Sequence, residues 1–199
     1  MFDRSLVFID LETTGAAAST DRITEIGLIE VENGEYVREW STLVNPQMDI
    51  PPFIEALTGI SNDMVAGAPM FAHVAAELRA RLCGKLLVAH NARFDYGFLR
   101  AEFGRLDTEY ASDLVCTVKL SRKLFPGHAR HNLDSLMQRH HVVCDARHRA
   151  LGDARVLWDL ITKWRAHPGA EALNAAAALQ LNPPPKSRTP AGGAVPVAA

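Results

Sequence analysis

The chain opens on an unbroken apolar run, Leu6-Val7-Phe8-Ile9, which predicts a buried strand over residues 5–11. Residues 23–32 and 36–45 read as two more strands. Between them Glu32-Asn33-Gly34-Glu35 carries the Asn-Gly pair of a tight hairpin. Pro51-Pro52 breaks the chain ahead of a short helix at 53–57. Helical spacing then takes over. Residues 69–82 set Phe71, Val74, Leu78 and Leu82 on one stripe, residues 86–89 form a short strand, and residues 92–103 are a helix carrying Phe94, Phe98, Leu99 and Phe103. Further helices are expected at 117–124, 133–140 and 150–164. Strands first, then helices alternating with strands, predict an α/β domain. Its mixed sheet has an antiparallel edge from the hairpins and parallel strands reached through helices.

The pattern stops near Asn182. Pro183-Pro184-Pro185-Lys186-Ser187-Arg188 leads into Pro, Gly, Ala and Val without period. The expected organisation is therefore a folded domain over 1–181 and a disordered Pro/Ala/Gly-rich tail or linker over 182–199. The tail holds two basic residues and no acids, so the body is more acidic than the total charge of −2 for 199 residues implies. Duplex-coating proteins are usually basic. A protein that grips a few nucleotides through bound cations carries part of its positive charge on those ions, so the charge excludes neither class. An apolar fraction of 48% supports a substantial core. No run of eighteen apolar residues is present, and the N-terminus has no leader pattern, so no membrane contact and a cytoplasmic location are expected. Cys83, Cys116 and Cys144 are odd in number and far apart, which predicts buried reduced thiols rather than a zinc site.

The candidate chemistry lies in carboxylates at element ends. Asp10 and Glu12 close the first strand, and residues two apart share a face of a strand. Two like charges so placed either are solvated at the strand end or hold a cation or proton between them. Asp95, at a strand-to-helix junction, either complements the helix dipole or belongs to a site of the kind that open α/β sheets build there. Asp153 and Leu157 lie one turn apart on an inward helix face, where an acid needs a partner or a metal. His148, five residues earlier, is a surface histidine or a base on a loop before the helix. Taken together, four hard oxygen donors suit Mg²⁺ or Mn²⁺. Two such ions about 3.5–4 Å apart stabilise the attacking and leaving oxygens of a phosphodiester displacement, and a histidine of near-neutral pKa takes the proton of the attacking water.

Three segments carry a resemblance. Phe8-Ile9-Asp10-Leu11-Glu12-Thr13-Thr14-Gly15, His90-Asn91-Ala92-Arg93-Phe94-Asp95 and His148-Arg149-Ala150-Leu151-Gly152-Asp153 resemble, in order, the three motifs of the DEDDh exonuclease family, which includes the epsilon proofreading subunit of bacterial DNA polymerase III. The likeness runs over residues 5–163. It implies a ribonuclease-H-like mixed sheet flanked by helices. It implies two divalent ions, Mg²⁺ or Mn²⁺, held by Asp10, Glu12, Asp95 and Asp153, with His148 as general base. Glu55-Ala56-Leu57-Thr58-Gly59-Ile60 resembles the family's wedge against terminal bases, with Leu57 stacking and Thr58 beside it, although Leu57 reads equally as core. Thr13, Thr14 and Gly15 are expected to offer backbone donors to the terminal nucleotide, and Asn91 to bind substrate. Asn132 or Asp134 reads as a helix cap. The basic stretch 119–131, with Lys119, Arg122, Lys123 and Arg130, is either a phosphate contact or a solvated helix face.

The function expected from this resemblance is a 3′-to-5′ exonuclease that takes single-stranded or frayed 3′ ends of DNA and releases 5′-mononucleotides. Its partner would be a DNA polymerase or a repair assembly. Trimming of RNA 3′ ends uses the same acid set and stays open. A pure docking module would favour loss of a metal ligand, and every ligand position is filled.

Overall fold

A computed structural model describes residues 2–181; the tail expected over 182–199 lies outside the described residues. Five strands form one sheet in the order β3-β2-β1-β4-β5. β1 (Leu6–Thr13), β2 (Ile23–Glu32) and β3 (Glu35–Leu43) pair antiparallel, and β4 (Leu86–Ala89) and β5 (Leu114–Cys116) add parallel strands beside β1. The mixed sheet is the one the order of apolar runs predicts, and Asn33 and Gly34, both at positive φ, make the hairpin turn.

Strand alternation divides the core in two. Leu6 and Phe8 of β1 face one layer, packed by α6 (Leu133–His140), α7 (Ala150–Trp164) and α8 (Ala170–Leu181). Val7, Ile9 and Leu11 face the other, packed by α3 (Phe71–Leu82) and α4 (Arg93–Gly104). Trp158 of α7 meets Phe8 edge-on at 5.6 Å, and Trp164 at the end of that helix is fully buried. Gly27 of β2 permits this packing. A Cβ there would lie 2.1 Å from the Leu151 amide nitrogen, so the absence of a side chain lets the first turn of α7 rest directly on the strand.

Three elements escape the periodicity reading. β5 is three residues long and has no repeat to detect. α2 (Asn62–Ala66) is a single turn started by Ser61, whose hydroxyl accepts from the Met64 amide at 3.3 Å. α8 is too rich in alanine for its buried stripe, Leu173, Ala176 and Ala177, to stand out. Its Gln180 side chain accepts from the Cys116 amide at 2.9 Å and donates back to the Cys116 carbonyl at 3.2 Å, which covers the edge of β5. The expectation of buried thiols fails at Cys83, which is exposed where α3 ends. None of the described helices is long and apolar enough to cross a membrane.

Candidate active site

The acids converge where β1 outruns its parallel neighbour. β4 pairs with β1 only over Leu6–Phe8, so the last residues of β1 form one wall of a cleft just beyond the strand ends. Asp10 and Glu12 continue the face of Leu6 and Phe8, which looks toward α7. Asp95 comes from the first turn of α4, and Asp153 from the first turn of α7. The first turns of two helices, one packed on each face of the sheet, thus bring acids to the end of one central strand.

The cleft has a volume of about 290 Å³ and is lined by Asp10, Leu11, Glu12, His90, Asn132, Leu133, Asp134, Arg147, His148 and Asp153. Ligand atoms of Glu12, His148 and Asp153 all lie within 4.8 Å of one another, a spacing that fits a metal ion. Asp95 is off the cleft wall and buried, with one carboxylate oxygen lacking a hydrogen-bond partner. One oxygen of Asp153 is likewise buried without a partner.

Electrostatics separate these acids from the other buried acids of the chain. Glu30 meets Arg38, Arg81 and Lys85, and Glu102 takes Arg22 in a two-pronged contact at 2.7 and 3.0 Å. Asp10, Glu12 and Asp95 have no such cation among the described residues. Desolvation, then the charges of Asp95, Asp153 and Glu12, raise the Asp10 carboxyl well above its ordinary value, against a smaller pull from Arg147. Desolvation, then Asp153 and Glu25, push Glu12 up to about 7. Burial lifts Asp95 to about 8, opposed by backbone bonds from its own amide and from Leu11. Burial also raises Asp153, while its contact with Arg147 works the other way. Oxygen donors that are buried, mutually repelling and short of hydrogen bonds fit a divalent cation.

His148 lies two residues ahead of α7 with φ 58, a left-handed backbone uncommon for a residue with a side chain. Both its neighbours are clamped. Arg147 bridges Asp134 and Asp153. Arg149 grips the buried Glu25 of β2 with Nη2 at 2.6 Å, and the other Glu25 oxygen accepts from the Ala150 amide at 2.9 Å. Glu25 thus ties the start of α7 to the sheet, directly across from Glu12 in the strand pairing. Glu25, Gly27, Arg147 and Arg149 carry no signal in the motif reading. The one available hint is that Glu25 has the inward parity of Ile29 and Val31.

The remaining expected contacts divide. Leu57 is 53% exposed and so is not core. Thr58 is buried; its hydroxyl donates to the Ile54 carbonyl at 3.0 Å and accepts from the Ile60 amide at 3.1 Å, so it is consumed inside its own helix and cannot flank a base. The Thr14 amide is spent on the Arg22 carbonyl at 2.9 Å, and the Thr13 hydroxyl on the Gly15 carbonyl at 2.6 Å. Gly15 turns tightly over the Asp21 carboxylate, which a Cβ would meet at 2.4 Å. Asn91, at φ 59, lines a neighbouring groove with Arg93 and Lys119 rather than the acid cleft. Asn132 caps α6, accepting from the Ser135 amide at 3.0 Å. His90 joins the cleft wall; its Nδ1 lies 2.9 Å from the Thr117 hydroxyl, and burial then Arg147 lower its pKa to about 4, so the ring is neutral.

Comparison with known proteins agrees with this geometry. The Exonuclease family model (RNase_T) matches residues 7–161. The DNA polymerase III subunit epsilon of Treponema pallidum is 37% identical over 161 residues, covering 79% of this chain and 75% of that protein. The 3′-5′ exonuclease DinG of Bacillus subtilis is 39% identical over 158 residues, 78% of this chain but 17% of that protein. The PolC-type DNA polymerase III of Oceanobacillus iheyensis is 36% identical over 168 residues, 82% of this chain and 12% of that protein. The chain therefore spans a small part of some relatives and most of another. Among solved structures, exonuclease X in complex with 5′ overhanging duplex DNA is 28% identical with a TM-score of 0.69, over 86% of this chain and 99% of that one. A structure of exonuclease I, 17% identical, shares the fold with a TM-score of 0.78, over 86% of this chain and 43% of that one. By family match, by relatives and by fold, the chain belongs to the Exonuclease family, as a 3′–5′ exonuclease domain.

Proposed function

We propose that this domain removes nucleotides from single-stranded or frayed 3′ ends of DNA, with two Mg²⁺ or Mn²⁺ ions held by Asp10, Glu12, Asp95 and Asp153. The observation that carries this reading is the convergence of four acids, three of them without a protein cation, on one sheet end. When bound, the ions would supply Lewis-acid stabilisation of the attacking and leaving oxygens. His148, on the cleft wall beside Glu12 and Asp153, takes the proton of the attacking water. Its loop position lets the ring move, while Arg149 and Glu25 hold the backbone that follows. Leu57 stands exposed on α1 (Pro52–Thr58) as the group that meets the terminal base.

The relatives named as polymerase III components support a role in proofreading or repair beside a DNA polymerase, in the cytoplasm. The filled set of acids argues against a docking module without activity. The test is digestion of end-labelled single-stranded DNA and matched RNA with Mg²⁺, then Mn²⁺, then chelator. Stepwise shortening of DNA from the 3′ end, with 5′-mononucleotides released and no reaction in chelator, is expected. Internal cuts preceding terminal shortening, 3′-phosphorylated mononucleotides, or faster loss of RNA than of DNA would overturn the reading.

A further inference from the structure

Arg147 directly precedes His148 yet belongs to none of the three motif segments. Its guanidinium is shared between carboxylates of two different helices. Nη1 meets Asp153, while Nε and Nη2 both meet Asp134 Oδ1, at 2.9 and 2.8 Å. Asp153 is nearly buried at 6% side-chain exposure; Asp134, on the first turn of α6, is 70% exposed and has no other cation among the described residues. The same guanidinium lines the cleft with Asp10, Glu12 and His148. Arg149, two residues later, shows the contrast: its fork is spent entirely on Glu25. Arg147 is instead divided between an acid assigned to metal and an acid that only anchors it.

We propose that Arg147 is a displaceable counter-charge of the metal site that serves afterwards as a substrate-phosphate contact. The Asp153 oxygen that takes Nη1 cannot at the same time bind an ion. A cation arriving at Asp153 therefore breaks one charge-assisted hydrogen bond, and Asp134 keeps the guanidinium from leaving the cleft. The freed Nη1 then faces the space where a phosphodiester must lie. A planar fork anchored at one side is suited to phosphate oxygens in a way that a lysine ammonium is not. This rests on the two-ion reading of the acids.

The experiment is calorimetric titration of Mn²⁺ into the full chain, for wild type, Arg147→Gln, Arg147→Lys and Asp134→Asn. Kinetics on a single-stranded oligonucleotide at saturating Mn²⁺ accompany it. Arg147→Gln should bind Mn²⁺ about tenfold tighter, the worth of one charge-assisted hydrogen bond no longer broken, yet show a KM for oligonucleotide raised by about tenfold. Arg147→Lys keeps the charge but cannot span both carboxylates, so it too should bind Mn²⁺ more tightly than wild type. Mere relief of charge repulsion would leave Arg147→Lys at the wild-type affinity. Asp134→Asn should bind Mn²⁺ more weakly, because the displaced guanidinium loses its anchor; this arm still reports if the Arg147 variants fail to fold. Unchanged Mn²⁺ affinity in Arg147→Lys and Asp134→Asn would overturn the proposal while leaving the two-ion reading intact. Absence of Mn²⁺ uptake by wild type would overturn both.

Discussion

Gly27 of β2 and Leu151 of α7 stand so close that a Cβ on the glycine would lie 2.1 Å from the Leu151 amide nitrogen and 2.2 Å from the Ala150 carbonyl carbon. Both obstructing atoms are backbone, so no side chain can rotate away. Gly27→Ala must lift the first turn of α7, and that turn carries Asp153. Overpacking of this kind costs about 1–3 kcal/mol, and a displacement of about 1 Å at a catalytic group costs on the order of 10²-fold in rate. The expected result is a lowered Tm with activity down at least about tenfold. A variant with wild-type Tm and wild-type rate would show that α7 does not fix the site through this contact.

His148→Ala should separate chemistry from metal binding. Loss of a positioned base costs about 10²–10⁴-fold in kcat, while the four acids remain to hold the ions. Mn²⁺ titration of the variant should therefore show near-wild-type uptake beside a collapsed rate. Activity within about threefold of wild type would remove His148 from the role of base.

Much of the site was legible because its signals are local. Asp10 and Glu12 interrupt a strand pattern, and Asp153 interrupts a helix stripe, so each stands out within a few residues. What was hidden depends on distant pairing. Glu25 meets Arg149 and Ala150 across more than a hundred residues, and Gly27 looks like any strand glycine until α7 lies on it. Arg147 reads as one more surface charge until the loop before α7 turns it inward to Asp153. The fold divides in the same way. The long strands and periodic helices declare themselves, whereas β5 is defined by its pairing with β4 and α8 by packing beside it.

Stability without metal should fall as pH rises. Asp95 titrates near about 8 in the folded chain against about 3.9 when unfolded. Between those values the folded state holds a proton that the unfolded state has released, so each step upward in pH favours unfolding. The contribution is fully present below the unfolded pKa and is lost as pH passes through the folded value. His90 and His140, both lowered to about 4, give the opposite slope below about pH 6.5, where the unfolded state takes up protons and the folded state does not. The informative quantity is therefore wild type minus Asp95→Asn, in chelator. Denaturant titrations from pH 4 to 8 should show the wild type losing ground to Asp95→Asn as pH rises, and saturating Mn²⁺ should reverse the order. A constant difference across that range would mean that the acids do not repel.

Preference for frayed ends should reside in Leu57. Phe53 and Leu57, 69% and 53% exposed, lie one turn apart on the outer face of α1, while Ile54 and Thr58 hold its inner face. The helix is fixed at its end by the left-handed Gly59, and the Glu55 carboxylate accepts from the Asn62 amide at 2.7 Å. An apolar pair on so fixed a helix can receive the face of an unstacked base. Opening a terminal base pair costs a few kcal/mol, least at a mismatch, and stacking an opened base on a side chain returns about 1–3 kcal/mol where the side chain is aromatic. Leu57→Ala removes part of that return. Digestion of paired ends should drop by about tenfold, mismatched ends less, and single strands by no more than about threefold, since they have no pair to open. Thr58→Val, which changes a buried hydroxyl, should lower Tm and leave the ratio among the three substrates alone. One labelled strand presented single, paired and with a 3′ mismatch measures all of this, and an equal loss on all three from Leu57→Ala would show that this side chain takes no part in opening the end.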